Sequence, residues 1–321
     1  MPPLPPPLPN DQHTPVLAEP FVAALTHRVD GVVVDGTFGR GGHSRMVLER
    51  LSPAGHLVAL DRDPYAVVCG EELQQRDQRF TIVRSEFSQL ASVLVQLGIA
   101  SVDAIGFDFG LSSPQLDRAE RGFSFAAAGP LDMRMNPDVG TSLASMLGSV
   151  SHYRLTQIIR DYGEERFAGR VARAIIGARD EGGLATTRDL AQVITSALPA
   201  KSRYGRTHPA TRTFQALRIW VNDEYREIED GLVAAIRLLK PGGVLAAISF
   251  HSGEDSRVKE IVESHVNPCI CPPQLPVCGC GRVADMRWVQ KRPLRAPREE
   301  LERNTRARSA RLRIAVKCGE E

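Results

Sequence analysis

The chain has 321 residues, of which 42% are hydrophobic and 24% are charged, and its formal net charge is +2. This length and composition predict a globular protein of about two domains. No apolar run reaches the roughly 20 residues that a membrane-spanning helix needs, so we expect no membrane partner. Residues 1–12, MPPLPPPLPNDQ, predict a disordered proline-rich arm and not a signal peptide, which favours a cytoplasmic location.

The first half of the chain alternates short apolar runs with helical patterns. Each apolar run is bounded by turn residues, as buried parallel strands are, and the runs fall at 32–34, 57–60, 80–83 and 103–107. A helix is predicted between the first two runs, at 44–51. This alternation indicates an α/β fold with an open, doubly wound parallel sheet.

The alternation stops after the fourth strand. Residues 112–208 contain no strong strand pattern, and helical spacing appears at 143–147, 154–162, 165–178 and 188–198. These residues predict a helical domain inserted into the sheet domain. The α/β pattern then returns with one long amphipathic helix at 211–239, a strand at 244–250, and two further strands at 286–291 and 311–316 that favour an antiparallel pair.

The charge of the chain is distributed unevenly. From Arg282 to Lys317 there are 12 basic and 4 acidic residues, which leaves 28 basic and 34 acidic residues elsewhere. A basic region on a mildly acidic body indicates a polyanionic partner such as a nucleic acid. The alternative is a solvated surface rich in arginine.

Four of the six cysteines are close together in the sequence, as Cys269-x-Cys271 and Cys278-x-Cys280. Four thiolates are the donor set of a structural zinc site, but such sites usually have pairs spaced C-x₂₋₄-C. The tighter spacing favours reduced thiols in a proline-rich loop. We therefore expect no metal, with a zinc site as the alternative.

A glycine loop follows the first predicted strand, in the stretch VVVDGTFGRGGHS at 32–44. A phosphate-binding P-loop is excluded because His43 follows the glycines where that motif has lysine. A dinucleotide fingerprint is a weak match because its third glycine falls on Ser44. S-adenosylmethionine fits better, with its carboxylate near the helix N-terminus and its ribose hydroxyls on Asp61. Asp61 would serve a dinucleotide equally well.

Four longer motifs fall in the predicted loops, namely DFGLSSPQLD at 108–117, RGFSF at 121–125, PLDMRM at 130–135 and HPATRTFQALRI at 208–219. With these motifs the sequence resembles the bacterial 16S rRNA (cytosine-N4)-methyltransferases of the MraW/RsmH type, from residue 13 to residue 313. The resemblance implies a class I, Rossmann-like methyltransferase sheet at 13–111 and 209–321. It also implies an all-helical substrate-recognition domain at 112–208.

The resemblance further implies the site residues. The family's cofactor contacts fall on Gly41, Gly42, His43, Asp61, Phe87, Asp108 and Gln115. We expect Asp108 to orient donor and target, with Ser113 and Asp132 as further catalytic candidates. The family usually reads FHSLEDR where this chain has FHSGEDS at 250–256, so a leucine and an arginine are replaced by Gly253 and Ser256.

The function implied is S-adenosylmethionine-dependent N4-methylation of a cytidine in the decoding region of 16S rRNA. The expected partner is 16S rRNA within the small ribosomal subunit, and a homodimer is left open. Two alternatives remain, a methyltransferase that acts on another substrate and a non-catalytic rRNA-binding assembly factor. Phe123, Phe125 and Phe214 are candidates to receive the target base, and Arg134, Arg206, Arg212 and Arg218 are candidates to bind phosphates.

Overall fold

The structure, a computed structural model, describes residues 15–203, 207–272 and 277–319. The predicted arm at 1–12 and Arg206 lie outside the described residues. The strands are β1 Val32–Asp35, β2 His56–Asp61, β3 Phe80–Arg84, β4 Val102–Asp108, β5 Leu239–Ser249, β6 Met286–Trp288 and β7 Arg311–Lys317.

The helices fall between these strands and in the region that the sequence predicts to be helical. They are α1 Ala18–Leu25, α2 Gly42–Arg50, α3 Pro64–Arg76, α4 Leu90–Gln96, α5 Ser113–Asp117, α6 Leu143–Ser149, α7 His152–Gly163, α8 Ala168–Asp180, α9 Thr187–Ala197, α10 Ala200–Arg203, α11 Thr211–Asn222, α12 Glu224–Leu238, α13 Ser252–Val266 and α14 Arg298–Arg303. Among the described residues, none of these helices has both the length and the apolarity to cross a bilayer.

All seven strands of the described residues form one sheet in the order β3-β2-β1-β4-β5-β7-β6. The five strands β1, β2, β3, β4 and β5 are paired in parallel, whereas β7 is antiparallel to both β5 and β6. This order and the single reversed strand confirm the predicted α/β fold of a class I methyltransferase. The predicted antiparallel pair is also confirmed, with the last strand inserted between β5 and β6.

Apolar residues on the strands explain why both faces of the sheet are covered. Ile105 and Phe107 of β4 face one buried cluster, which includes residues of α4 and α12. Ala104 faces the other cluster, which includes Phe21 and Leu25 of α1. A strand buried on both faces reads as a continuous apolar run, which is why the sequence shows these strands clearly.

The chain divides into two compact units. One, here called the sheet unit, contains the residues up to Gly110 and those from Tyr225 onward; the other, the helical unit, is Leu111–Glu224. The first division falls within one residue of the predicted boundary. The return to the sheet unit comes at Tyr225 and not at residue 209, because α11 packs against α7 within the helical unit.

The prediction of a single helix at 211–239 is wrong. Two helices are present, and Asp223 between them has a left-handed backbone with φ of 49°. The side chain of Asn222, one residue earlier, accepts a hydrogen bond from Met135 N at 2.7 Å and donates one to the Met133 carbonyl at 2.7 Å. These contacts hold the end of α11 to the chain around residue 133. The continuous amphipathic pattern does not reveal this break.

The helical unit has an apolar core of its own. Leu155 and Ile159 of α7, Val171 and Ile175 of α8, and Leu190 of α9 are fully buried there. Serine and threonine side chains cap several of its helices; for example, Thr186 accepts a hydrogen bond from the backbone N–H of Asp189 at the start of α9. The predicted helical character of residues 112–208 is thus seen in the structure.

Candidate active site

Three aspartates lie at the carboxyl ends of adjacent parallel strands. Asp35 ends β1, Asp61 ends β2 and Asp108 ends β4. Asp35 pairs in register with Ala59 of β2 and with Gly106 of β4, so the three strand ends share one edge of the sheet. Ligands of open α/β sheets bind at this edge. The candidate site is therefore the carboxyl edge of β1, β2 and β4.

The glycine loop crosses this edge between β1 and α2. Its Gly39 N–H donates a hydrogen bond to Asp61 Oδ2 at 2.7 Å, and Asp63 N–H donates to Asp61 Oδ1 at 2.8 Å. Gly41 precedes α2 with φ of +72°, and a Cβ there would lie 2.6 Å from the Phe38 ring. Glycine is thus required at 41. Because the first N–H groups of a helix have no partner within the helix, those of the first turn of α2 can bind a ligand.

Asp35 holds the loop in place. Its Oδ2 accepts a hydrogen bond from the Ser44 hydroxyl at 2.6 Å, and its Oδ1 accepts one from Thr37 N–H at 3.1 Å. The Thr37 hydroxyl in turn accepts a hydrogen bond from Asp108 N–H at 2.6 Å. Burial raises the pKa of the Asp35 carboxyl. Asp35 therefore joins the loop to the end of β4 and to α2.

Asp108 is the least satisfied of the three carboxylates. Its side chain is 27% exposed, yet its Oδ1 is buried and has no hydrogen-bond partner among the described residues. Burial raises the pKa of Asp108 well above its ordinary value, and the negative charges of Asp35 and Glu254 raise it further. An unpaired, buried carboxyl oxygen is costly unless a ligand completes it, so Asp108 is the strongest candidate for contact with a bound group.

His43 lies beside Asp108 in the first turn of α2. Its ring packs on Phe21 with a centroid distance of 4.5 Å, and its Nε2 lies 3.0 Å from the Val16 carbonyl oxygen. Burial lowers the pKa of His43 to about 4. The side chain is therefore a neutral, packed group, and the part of His43 that remains for a ligand is its backbone.

The burial of Asp61 raises the pKa of its carboxyl to about 6. The hydrogen bonds from the N–H groups of Gly39 and Asp63 lower this pKa, but by less than burial raises it. Each oxygen of Asp61 accepts one backbone hydrogen bond and retains a second lone pair. Asp61 is thus placed to accept from two neighbouring hydroxyl groups.

Phe87 follows β3 and begins a short 3₁₀ turn. It is half-buried, and its ring lies 5.5 Å from Phe107 and 5.7 Å from Phe109 between ring centroids. These contacts place an aromatic side chain next to the aromatic residues of β4 and its carboxyl end. Phe87 is thus an apolar component of the same edge.

The turn after β5 brings a fourth carboxylate to the site. Glu254 is 1% exposed and lies 3.0 Å from His251 Nε2, and its other oxygen accepts a hydrogen bond from Phe250 N–H at 2.7 Å. Its charge is one of those that raise the pKa of Asp108. Glu254 is not among the site residues predicted from the sequence. The spacing of His251 and Glu254, that of a capping box before α13, could have indicated it.

One of the two departures from the family's usual FHSLEDR pattern, the glycine at 253, has a structural explanation. A Cβ at Gly253 would lie 1.9 Å from the Tyr225 hydroxyl oxygen, so glycine makes room for this side chain. The guanidinium of Arg257 lies 3.3 Å from the centroid of the Tyr225 ring and donates a hydrogen bond to the Gly253 carbonyl at 3.0 Å. Arg257, one residue after Ser256, thus supplies a cation at this turn.

The other predicted site residues belong to the helical unit. Gln115 is 5% exposed and its Oε1 accepts a hydrogen bond from Ser112 N–H at 3.0 Å, in a capping box at the start of α5, where Ser113 is the first residue. Asp132 makes a two-bond ion pair with Arg134, with both distances 2.8 Å. Burial alone would raise the pKa of Asp132, but Arg134 outweighs burial and lowers it. These contacts favour structural roles for Gln115 and Asp132, and their functional roles stay predictions.

The candidates for RNA contact divide into buried and accessible residues. Phe123 and Phe214 are each 5% exposed, whereas the half-buried Phe125 lies 4.4 Å from His208 between ring centroids. Arg218 is paired with Glu224 by hydrogen bonds of 2.7 and 2.8 Å. Of the aromatic candidates, Phe125 is therefore the one best placed to contact a base, and Arg218 is engaged within its own unit.

The sequence pattern of the MraW methylase family matches residues 10–318. The chain belongs to this family. Relatives named "Ribosomal RNA small subunit methyltransferase H" include one from Thiobacillus denitrificans, 48% identical over 96% of this chain and 98% of its own. Another, from Heliobacterium mobile, is 46% identical over 95% of this chain and 98% of its own.

Solved structures that resemble this methylase include a putative rRNA methylase from Clostridium thermocellum. Its TM-score is 0.41 at 11% identity, over 90% of this chain and 89% of that one. An rRNA methylase from Streptococcus thermophilus has a TM-score of 0.41 at 9% identity, over 94% and 95% of the two chains.

The cofactor of this methylase is S-adenosylmethionine. The residues at the carboxyl edge fit such a group, since its sulfonium and ammonium are cationic and the edge presents carboxylates, one with an unpaired buried oxygen. The first turn of α2 offers N–H groups for its carboxylate, and Asp61 offers lone pairs for its ribose hydroxyls. All of these hydrogen-bonding groups lie in the sheet unit.

Proposed function

We propose that this methylase transfers the methyl group of S-adenosylmethionine to the N4 amine of a cytidine in the decoding region of 16S rRNA. The observation that carries the proposal is the unpaired, buried Oδ1 of Asp108 at the end of β4, in a chain whose relatives are named small-subunit rRNA methyltransferases. The resemblance to the cytosine-N4 family supports the choice of base.

Residues of the glycine loop and of the neighbouring strand ends would hold the cofactor. Gly42 and His43 would bind its carboxylate with their backbone N–H groups in the first turn of α2, and Asp61 would accept from the ribose hydroxyls. Gly41, whose own N–H donates to the Phe38 carbonyl at 2.8 Å, would let the backbone approach the carboxylate closely. Phe87 offers an apolar face to the adenine. When bound, the cofactor supplies an activated methyl group on a sulfonium, so the reaction requires no metal.

The target amine is a weak nucleophile because its lone pair is delocalised into the cytosine ring. An acceptor for an N4 hydrogen increases the electron density that the nitrogen can use for attack. Methylation replaces one N4 hydrogen, so one proton must leave. We assign Asp108 Oδ1 as the acceptor, because its pKa is raised and this oxygen has no other described partner.

The binding of RNA is assigned to two surfaces. The basic segment of the sheet unit presents exposed cations that suit phosphates, namely Arg282, Arg287, Lys291, Arg292, Arg295, Arg303 and Arg308. The helical unit is assigned recognition of the target, with Phe125 as a stacking surface for a base. The substrate is expected within the small ribosomal subunit. The homodimer stays a prediction.

The decisive experiment supplies methyl-labelled S-adenosylmethionine and small ribosomal subunits from cells that lack this activity. The RNA is then digested to nucleosides, and we expect label in N4-methylcytidine. Label in another nucleoside would retain the methylase and reject the proposed base. If no label appears although calorimetry shows cofactor binding, the assembly-factor alternative gains support. Deproteinised 16S rRNA, tested in parallel, determines whether the assembled subunit is required.

A further inference from the structure

The four cysteines between α13 and β6 converge in space. The sulfur atoms of Cys269, Cys271, Cys278 and Cys280 all lie within 4.8 Å of one another. Cys278 Sγ is 3.5 Å from Cys269 Sγ, 3.8 Å from Cys271 Sγ and 3.4 Å from Cys280 Sγ. Two separate C-x-C pairs, seven residues apart from Cys271 to Cys278, thus meet at one point.

These distances exclude disulfides and match the edges of a metal-centred tetrahedron. A disulfide joins its sulfur atoms at about 2.05 Å, so all six cysteines of the chain are free. Four thiolates around one Zn²⁺ with bonds of about 2.3 Å stand about 3.8 Å apart. The 3.4 Å between Cys278 and Cys280 also shows that one intervening residue suffices to place two sulfur atoms on one edge.

The surrounding segment has little else to hold it together. Its described residues form no helix or strand, and Ile270, Val277 and Val283 are 65%, 75% and 84% exposed, so they contribute no core. Its base is closed by a hydrogen bond of 2.8 Å between His265 Nδ1 and Asp285 Oδ1. A chain segment without an apolar core usually needs a disulfide or a metal to stay folded.

We propose that Cys269, Cys271, Cys278 and Cys280 bind one Zn²⁺ as a structural site. Four thiolates close the coordination sphere, so the ion has no open position for chemistry and its role is to fold the segment. Soft thiolates select zinc, copper(I) or iron–sulfur clusters. In an iron–sulfur cluster the cysteines bind different iron atoms, so four sulfur atoms that converge on one point fit a single ion better than a cluster. This proposal replaces the expectation of no metal and does not depend on the methyl-transfer proposal.

The first test is the metal content of the full-length protein. The chain is purified with a reductant, supplied with zinc, freed of unbound metal and analysed for elements. We expect about one zinc per chain in the unsubstituted protein and almost none in the double variant Cys271→Ser/Cys278→Ser. The control is Cys318→Ser, which replaces a free cysteine outside the cluster and should also retain about one zinc per chain. Equal zinc in both variants, or iron in place of zinc, would overturn the proposal.

The second test reads the geometry and the local effect. Co²⁺ added to the metal-free protein should give the strong visible bands of a tetrahedral tetrathiolate site, which are absent from the double variant. Far-ultraviolet circular dichroism should show that the double variant keeps the fold, since the cysteines are outside both core clusters of the sheet unit. Removal of zinc should also accelerate trypsin cleavage after the exposed Arg282. Octahedral cobalt spectra, or cleavage unaffected by zinc, would contradict a structural site.

Discussion

His43 Nδ1 lies 3.6 Å from Asp108 Oδ2, while His43 Nε2 lies 3.0 Å from the Val16 carbonyl oxygen. A carbonyl only accepts, so Nε2 carries the hydrogen of this neutral ring and Nδ1 faces Asp108 with a lone pair. Burial keeps the pKa of His43 at about 4 and raises that of Asp108. The pair therefore favours a protonated Asp108 in the absence of a cationic ligand.

This relationship predicts that cofactor affinity depends on pH. S-Adenosylmethionine carries a sulfonium that the ionised Asp108 attracts, whereas the product S-adenosylhomocysteine has a neutral sulfur. Affinity for the cofactor should fall as pH falls through the raised pKa of Asp108, by up to about tenfold per pH unit. Calorimetric titrations of both ligands across a pH series measure this effect.

Asp61 is proposed to accept from the ribose hydroxyls of both ligands, so its titration, with a pKa of about 6, should affect both affinities alike. The difference between the two affinities thus reports Asp108. In Asp108→Asn this difference should no longer vary with pH. An identical pH dependence for the two ligands in the unsubstituted protein would contradict the assignment.

Asp108→Asn should have opposite effects on activity and on stability. A carboxyl whose pKa is raised by folding binds more protons in the native state, so its contribution to stability falls as pH rises above its ordinary value. Replacing this ionisable carboxyl with a neutral amide should raise the free energy of unfolding of the ligand-free protein near neutral pH, by on the order of 1 kcal/mol. Turnover should fall on the order of 10²-fold.

Thermal unfolding and single-turnover methylation measure these two effects. The matched control is Asp230→Asn, an exposed carboxylate of α12 that pairs with Arg226 at 3.5 Å and should change neither quantity appreciably. If Asp108→Asn kept full turnover, the proton-accepting role of Asp108 would be wrong.

Gly253→Ala should destabilise the protein even though the position is helical. The new Cβ would lie 1.9 Å from the Tyr225 hydroxyl oxygen, and overpacking of this kind costs about 1–3 kcal/mol. Gly177→Ala in α8 is the control, because a Cβ there meets nothing within 4 Å and should stabilise by up to about 1 kcal/mol. Urea unfolding of both variants checks the signs.

The double variant Gly253→Ala/Tyr225→Phe tests the cause, because it removes the nearest clashing atom. Part of the lost stability should return, measured as a coupling energy in a double-mutant cycle. Additive effects of the two substitutions would show that the Tyr225 hydroxyl is not what requires glycine at 253.

Asp255→Ala should be among the most destabilising substitutions in the sheet unit. Its carboxylate accepts hydrogen bonds from Arg313 at 2.7 and 3.1 Å and from Arg311 at 2.8 Å, and Arg313 is only 8% exposed. Loss of one partner leaves a buried cation, which costs about 3–5 kcal/mol. Glu302→Ala breaks the exposed pair with Arg298 and should cost less than about 1 kcal/mol.

The same ion pair has a defined pH dependence. Burial raises the pKa of Asp255, but its arginine partners outweigh burial and lower it. Stability from this group is therefore complete above its ordinary pKa and is lost as pH falls through the lowered one. Denaturant unfolding at acid pH should show a smaller loss for Asp255→Ala than for the unsubstituted protein. An equal loss in both would contradict this ion pair as a source of acid sensitivity.

The sequence predicts the parallel strands, the glycine loop and the inserted helical region because each depends on local pattern. Apolar runs identify β1, β2 and β4, and their last residues include Asp61 and Asp108. The break at Asp223 is not local, since it depends on the contacts of Asn222 with the chain near residue 133. Likewise, Glu254 enters the site only because the turn after β5 folds back toward β4, and no pattern in the sequence shows which carboxylates will repel one another.

The position of β7 between β5 and β6 has a consequence for synthesis of the chain on the ribosome. Residues 311–317 are made after the six other strands of the described residues, yet they form an interior ladder of the sheet. Until they emerge, β5 has a long apolar edge with unpaired N–H and C=O groups, which is a template for aggregation. The nascent protein should therefore depend on chaperones until β7 appears, and a stop codon before residue 311 should yield insoluble chains and not a weakened enzyme.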